Sequence, residues 1–113
     1  MSTYTPDSWV IVKIQSEKYG TIYKVLAGWA GSYLYGASWK LSSGIVTFED
    51  KGKHYESLQD SGSTYILYKS SERMSAIMAS TFASFEEQLK GINDTIEVID
   101  SGDYVNNSKG ANE

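Results

Sequence analysis

Apolar and polar positions alternate with two different periods along this chain, and the change of period divides it. Up to about residue 69 the apolar residues fall in short runs or at every second position, bounded by turn residues. "SWVIVKI" (8–14) is apolar on both parities, which predicts a strand buried on much of both faces. "SEKYG" (16–20) supplies a turn, and "TIYKVLAGW" (21–29) returns as its antiparallel hairpin partner. "SWKLSSGIVTFED" (38–50) is a further strand candidate, interrupted by Gly44, and a glycine in a strand pattern marks a bulge or a bend where the chain passes from one sheet to another. "EDKG" (49–52) turns, "KHYESL" (53–58) returns, "QDSGS" (59–63) turns again and "TYILYK" (64–69) makes a fifth strand.

The period then changes. Met74, Ile77, Met78, Thr81, Phe82, Phe85 and Leu89 follow one another at steps of three and four, apart from adjacent pairs, on one face of an amphipathic helix over 72–90. Ser70 or Ser71 is the expected N-cap, Glu72 and Lys90 suit the first and last turns, and Gly91 ends the helix. The Met/Phe stripe is read as packing on the sheet, with a dimer interface as the alternative. "DTIEVID" (94–100) reads as a final edge strand. Residues 1–7 are expected to be a flexible end and 101–113 a disordered polar tail. The expected fold is therefore α+β: over 8–100, a strongly bent antiparallel sheet of five to six strands, close to a small SH3-like or OB-like barrel, packed with one helix.

At 113 residues this is one domain by length, large enough for a core without covalent staples. Aromatic residues make up 13%, most of them in strand-like stretches. There is no cysteine, so disulfides and thiolate chemistry are excluded. The N-terminus lacks the features of a signal peptide and no segment is apolar for the length of a bilayer, which leads us to expect a cytosolic protein without a membrane partner. The net charge of -4 lies entirely in residues 94–113, since the acids and bases of 1–93 cancel. Without a basic run, charge argues against nucleic acid as a partner.

Candidate chemistry is sparse. His54 is the only histidine and lies in a strand pattern with no nucleophile elbow elsewhere, so no catalytic triad is expected. His54 and Glu56 share a strand face, but nothing completes a metal shell, and no metal or cofactor is expected. Gly31 and Gly36 have the outer spacing of a phosphate loop, yet Ala37 and Ser38 stand where lysine and a hydroxyl residue are needed. The distinctive stretch is "AGWAGSYLYGASWKLSSG" (27–44), which sets Trp29, Tyr33, Tyr35 and Trp39 among glycines. Such residues make either a binding surface or an aromatic plug at a sheet corner. We expect the tryptophans inside the core and the tyrosines facing out, with Lys40, Ser42 and Ser43 beside them as polar contacts.

"YKVLAGWAGSYLYGASWKLSSGI" (23–45) followed by "SGSTYILYK" (61–69) resembles a group of small tailed-bacteriophage proteins with the pattern K-V-L-A-G-W, a glycine-bounded aromatic segment, S-W-[KR]-L-[NS]-S-G-I and S-G-S-x-Y. The chain departs from that pattern beyond Tyr65: Leu67 and Tyr68 stand where it favours a cysteine or histidine, and Glu72-Arg73 where it has Tyr-Gly. The resemblance implies an accessory protein acting in the cytoplasm of the infected host cell, and implies no activity. In that pattern Ser42, Ser43 and Gly44 recur with Ser61, Gly62 and Ser63. Two such segments offer hydroxyl and backbone donors to an anion or a peptide backbone, or serve only as turn chemistry. The expected function is non-enzymatic binding of a host protein or small ligand through Trp29, Tyr33, Tyr35, Trp39, Lys40, Ser42, Ser43, Ser61 and Ser63. Two alternatives stand beside it: an assembly role as a virion-associated homo-oligomer, and stacking of single-stranded nucleic acid on Tyr33, Tyr35 and Trp39.

Overall fold

The computed structural model describes residues 2–32 and 36–111, without the side chains of Ser32 and of residues 107–111. Eight strands and two α-helices follow in the order β1 (Thr3–Tyr4), β2 (Ser8–Ser16), β3 (Gly20–Ser32), β4 (Gly36–Leu41), β5 (Ile45–Asp50), β6 (His54–Gln59), β7 (Thr64–Tyr68), α1 (Ala76–Lys90), β8 (Thr95–Ile99) and α2 (Ser101–Ala111). A 3-10 turn, Lys69–Ser71, leads from β7 towards α1.

The class is α+β, but the sheet is not one bent ribbon. The strands form two four-stranded sheets, ordered β1-β7-β6-β5 and β4-β3-β2-β8, and no closed barrel forms among the described residues. All pairings are antiparallel except the short parallel β1–β7 contact, which sets Tyr4 beside Tyr65. The expected single bent sheet of five to six strands, close to a small barrel, is instead two sheets, because periodicity shows that a strand is buried but not which strand it pairs with.

The two-sided apolarity of 8–14 explains the layering. On β2, Trp9 and Ile11 face the other sheet, joining Val25 and Ala27 of β3 and Tyr55, Tyr65 and Leu67 of the facing strands. Val10 and Val12 point the other way and, with Leu26 and Ile96, pack against Met78 of α1, with Phe82, Phe85 and Leu89 around them. The second sheet is thus the middle layer between a sheet and a helix, buried on both faces at its centre. Trp9 is fully buried, and its indole Nε1 donates to the Tyr68 carbonyl at 2.7 Å, tying the two sheets together.

The bend expected at Gly44 is present: β4 belongs to one sheet and β5 to the other, and Gly44 adopts φ 142° at the corner between them. Helix α1 starts later than expected. Its N-cap is Ser75, whose hydroxyl accepts from the Met78 N–H, not Ser70 or Ser71. Its turn out is closed by Asn93 in the left-handed region (φ 62°), with the Asp94 N–H donating to the Leu89 carbonyl. β8 lies at a sheet edge, as its pattern predicts.

Both ends of the chain are more structured than the sequence suggests. Tyr4 is half-buried against the inter-sheet core. Residues 101–111, expected to be a disordered tail, form α2, whose Tyr104 and Val105 pack on the same core and whose Tyr104 ring meets Tyr23 and Phe48 edge-on at 5.0 and 5.1 Å.

Candidate functional site

The sequence-predicted residues that the structure describes do not all share one face of the fold. Trp39 pairs with Gly28, the neighbour of Trp29, so the two tryptophans project from opposite faces of their sheet. Trp29 is half-buried at the rim of the inter-sheet core, edge-on to Tyr4 at 6.1 Å. Trp39 is 42% exposed on the edge strand β4 and meets Phe85 of α1 edge-on at 5.6 Å. The pair is therefore not a common core element, and Trp29 and Trp39 do not share one surface. Tyr33 and Tyr35 lie outside the described residues.

The polar candidates do converge. Ser42-Ser43-Gly44 forms the corner between β4 and β5, and Ser61-Gly62-Ser63 forms the turn between β6 and β7. The Ser61 N–H donates to Ser43 Oγ at 2.9 Å, and the Asp60 N–H donates to the Gly44 carbonyl at 2.8 Å. The Gln59 N–H closes the turn on the Ser63 carbonyl at 2.8 Å. The two serine segments are thereby bonded side by side. Ser42 is buried and bonds Val25 of β3 twice: its N–H donates to the Val25 carbonyl and its hydroxyl accepts from the Val25 N–H, each at 2.9 Å.

Beside this corner lies a cavity of about 300 Å³, lined by Lys24, Lys40, Leu41, Ser42, Ser43, Gln59, Ser61, Ser63 and Tyr65. Five of the nine candidate residues line it. Among the described residues neither Lys24 nor Lys40 makes an ion pair, and Lys40 Nζ sits 5.1 Å over the Tyr4 ring. Tyr4 in turn lies against Tyr65 at 5.2 Å. No carboxylate lines the cavity; the exposed Asp60 flanks it on the turn.

Two lining residues hold buried polar atoms with no hydrogen-bond partner, Gln59 Oε1 and Tyr65 Oη, although each residue is only 1% exposed. Buried polar groups are nearly always satisfied, and an orphan costs on the order of 1–3 kcal/mol. Burial, and then the nearby Tyr4 phenol, push the Tyr65 pKa up to about 12, so its hydroxyl is a neutral donor at physiological pH.

Lys24, Gln59 and Tyr65 escaped the sequence reading. Gln59 reads as the start of a turn and Tyr65 as an ordinary strand aromatic. Only the β6–β7 register, which sets Ser57 opposite Tyr65 and so puts Gln59 on the same face, brings them together. His54 lies 3.8 Å from Glu56 Oε1 and beside the Tyr68 ring, away from this cavity. Among the described residues no cluster of three or more metal-ligating side chains occurs, and no helix is long and apolar enough to cross a membrane. Neither a protein-family model, nor a curated protein, nor a solved structure matches the chain.

Proposed function

We propose that this chain is a non-enzymatic binding protein, an accessory protein of a tailed bacteriophage acting in the infected host's cytoplasm, and that it holds a small polar ligand or a short polar segment of a host protein in the cavity at the serine corner. The observation that carries this reading is the pair of orphaned buried atoms, Gln59 Oε1 and Tyr65 Oη, on residues lining a cavity with two lysines that have no ion-pair partner among the described residues. A fold that leaves donors and acceptors unsatisfied at one place, while satisfying them at Ser42, Ser57 and Trp9, keeps hydrogen-bonding capacity for something outside the chain. The serine segments are rigid supports for that cavity as well as turn chemistry, since each is tied to the other through the Ser61 N–H.

Native mass spectrometry of the protein purified gently from host lysate, compared with its mass after denaturation, tests this. The expected result is a non-covalent adduct on the wild type that is lost from a Lys24→Gln/Lys40→Gln variant of unchanged fold. A bare mass in both, or an adduct indifferent to the two substitutions, overturns the site.

A further inference from the structure

We infer that copies of this chain join head to tail by strand addition, β4 of one copy pairing antiparallel with β8 of the next, so that the middle sheet runs on from copy to copy. This goes beyond the ligand reading and rests on the two free edges of the sheet β4-β3-β2-β8. Strand direction allows it. Each neighbouring pair in that sheet is antiparallel, so β4 and β8 run in opposite senses, and a further β4 beside β8 continues the alternation with the same face towards α1.

Hydrogen bonds to the inner strands fix which backbone groups of the two edges are free. In an antiparallel ladder a residue's N–H and C=O point to one side, and the side alternates along the strand. The Ser42 N–H donates to the Val25 carbonyl, so Ser42 and Lys40 face β3, while Trp39 and Leu41 face outward. The Trp9 carbonyl accepts from the Arg73 N–H on the side away from β3, so Ile11, Lys13 and Gln15 turn to Ile99, Glu97 and Thr95 of β8. Ile96 and Val98 are then the β8 residues that face outward. One register, Val98 opposite Trp39 and Ile96 opposite Leu41 of the next copy, joins all four.

The same register sets Glu97 opposite Lys40, in the kind of pair whose side chains lie closest because it carries no ladder bonds of its own. The faces agree. Glu97 lies opposite Lys13 and Lys40 opposite Ala27, towards the other sheet, whereas Val98 lies opposite Val12 and Trp39 opposite Gly28, towards α1. Val98 and Trp39 are 43% and 42% exposed in the single copy, and this pairing covers both. Among the described residues Lys40 makes no ion pair, and Glu97 has a single 4.0 Å contact, with Lys13. Like edges do not match. A register of β8 on β8 that uses both free residues of each strand sets Glu97 against Glu97, and one of β4 on β4 sets Lys40 against Lys40. Since each copy offers two different edges, the contact is heterologous and assembly continues beyond two copies.

Analytical ultracentrifugation of the full chain at low ionic strength, from micromolar to millimolar concentration, tests this. The expected result is a mean mass that rises with concentration past that of a dimer. Lys40→Glu alone and Glu97→Lys alone each bring like charges together, and each should raise the concentration needed for assembly about tenfold or more. An equimolar mixture of the two variants should restore assembly, because the reversed edge of each then meets the reversed edge of the other and the unreversed edges still match. Lys40 also lines the cavity, so mass and not ligand binding is the readout. Val98→Pro removes an outward N–H at an edge position, where proline is tolerated, and should leave a monomer. The charge reversals change exposed side chains and decide the matter without it. A monomer at every concentration, a mass that stops at the dimer, or a mixture that assembles no better than its components overturns the inference.

Discussion

Glu72 grips Ser101 with both carboxylate oxygens: Oε1 accepts from Ser101 Oγ at 2.6 Å and Oε2 from the Ser101 N–H at 2.8 Å. Glu72 is itself fixed to the core, because it bridges to Trp9 and the next N–H, of Arg73, donates to the Trp9 carbonyl at 3.1 Å. A carboxylate at a helix N-terminus satisfies orphan N–H groups and opposes the positive end of the helix dipole. The stretch after 100 folds for that reason, and Tyr104 and Val105 then cover one end of the inter-sheet core.

Glu72→Ala should therefore lower stability by about 1–3 kcal/mol in urea titrations and speed amide exchange over residues 101–106 selectively. An unchanged urea midpoint would mean that α2 is held by its aromatic contacts alone.

What the chain shows in sequence and what it hides have physical reasons. The hairpin of 8–29, the helix and the corner at Gly44 were readable because each is encoded by local period or by a single glycine. Which strands pair within each sheet was not, since period shows burial but not partners, and the two-residue β1 carries no pattern at all. The helix after Ser101 was hidden because Gly102 and Asp103 are poor helix formers and its anchor, Glu72, lies 29 residues away. At the site, the serines and Lys40 were legible as polar residues near turns. Gln59 and Tyr65 were not, because an orphaned atom exists only once cross-strand register and burial are known. The face of each tryptophan likewise depends on the β3–β4 register, which shifts between Trp29 and Ser32.

Ser42 stands among the binding candidates, yet its hydroxyl is committed to the Val25 N–H. Ser42→Ala leaves that buried donor without a partner and should cost about 1–3 kcal/mol. Lys40→Ala, which gives up an exposed cation over the Tyr4 ring, should cost no more than about 1 kcal/mol. Urea denaturation of the two variants separates a structural serine from a lysine available to a ligand, and the reverse order of costs would reverse these roles.

At Gly28 the start of α1 comes close to the sheet. A Cβ there would fall 2.6 Å from Met78 Sδ and 3.2 Å from the capping Ser75 Oγ. Met78 is fully buried and has little room to yield, so Gly28→Ala should cost about 1–3 kcal/mol. Combined with Met78→Ala, the cost of the glycine substitution should fall, giving a coupling of about 1 kcal/mol or more in a double-mutant cycle. Additive effects would show that the start of the helix moves aside instead.

Tyr65 links stability, pH and the cavity. Its phenol is held neutral by burial and then by Tyr4, with a folded-state pKa of about 12 against an ordinary value of 10.0. The unfolded chain therefore releases this proton first as pH rises. The stabilisation is fully present below pH 10 and is lost as pH climbs through about 12, with a total on the order of 2–3 kcal/mol. Tyr65→Phe should remove that alkaline loss. At neutral pH it should leave stability unchanged or raised, because it deletes a polar atom that has no partner. If both proteins lose stability equally between neutral and strongly alkaline pH, the phenol is solvated in the folded state and the orphaned hydroxyl is not a feature of the free protein.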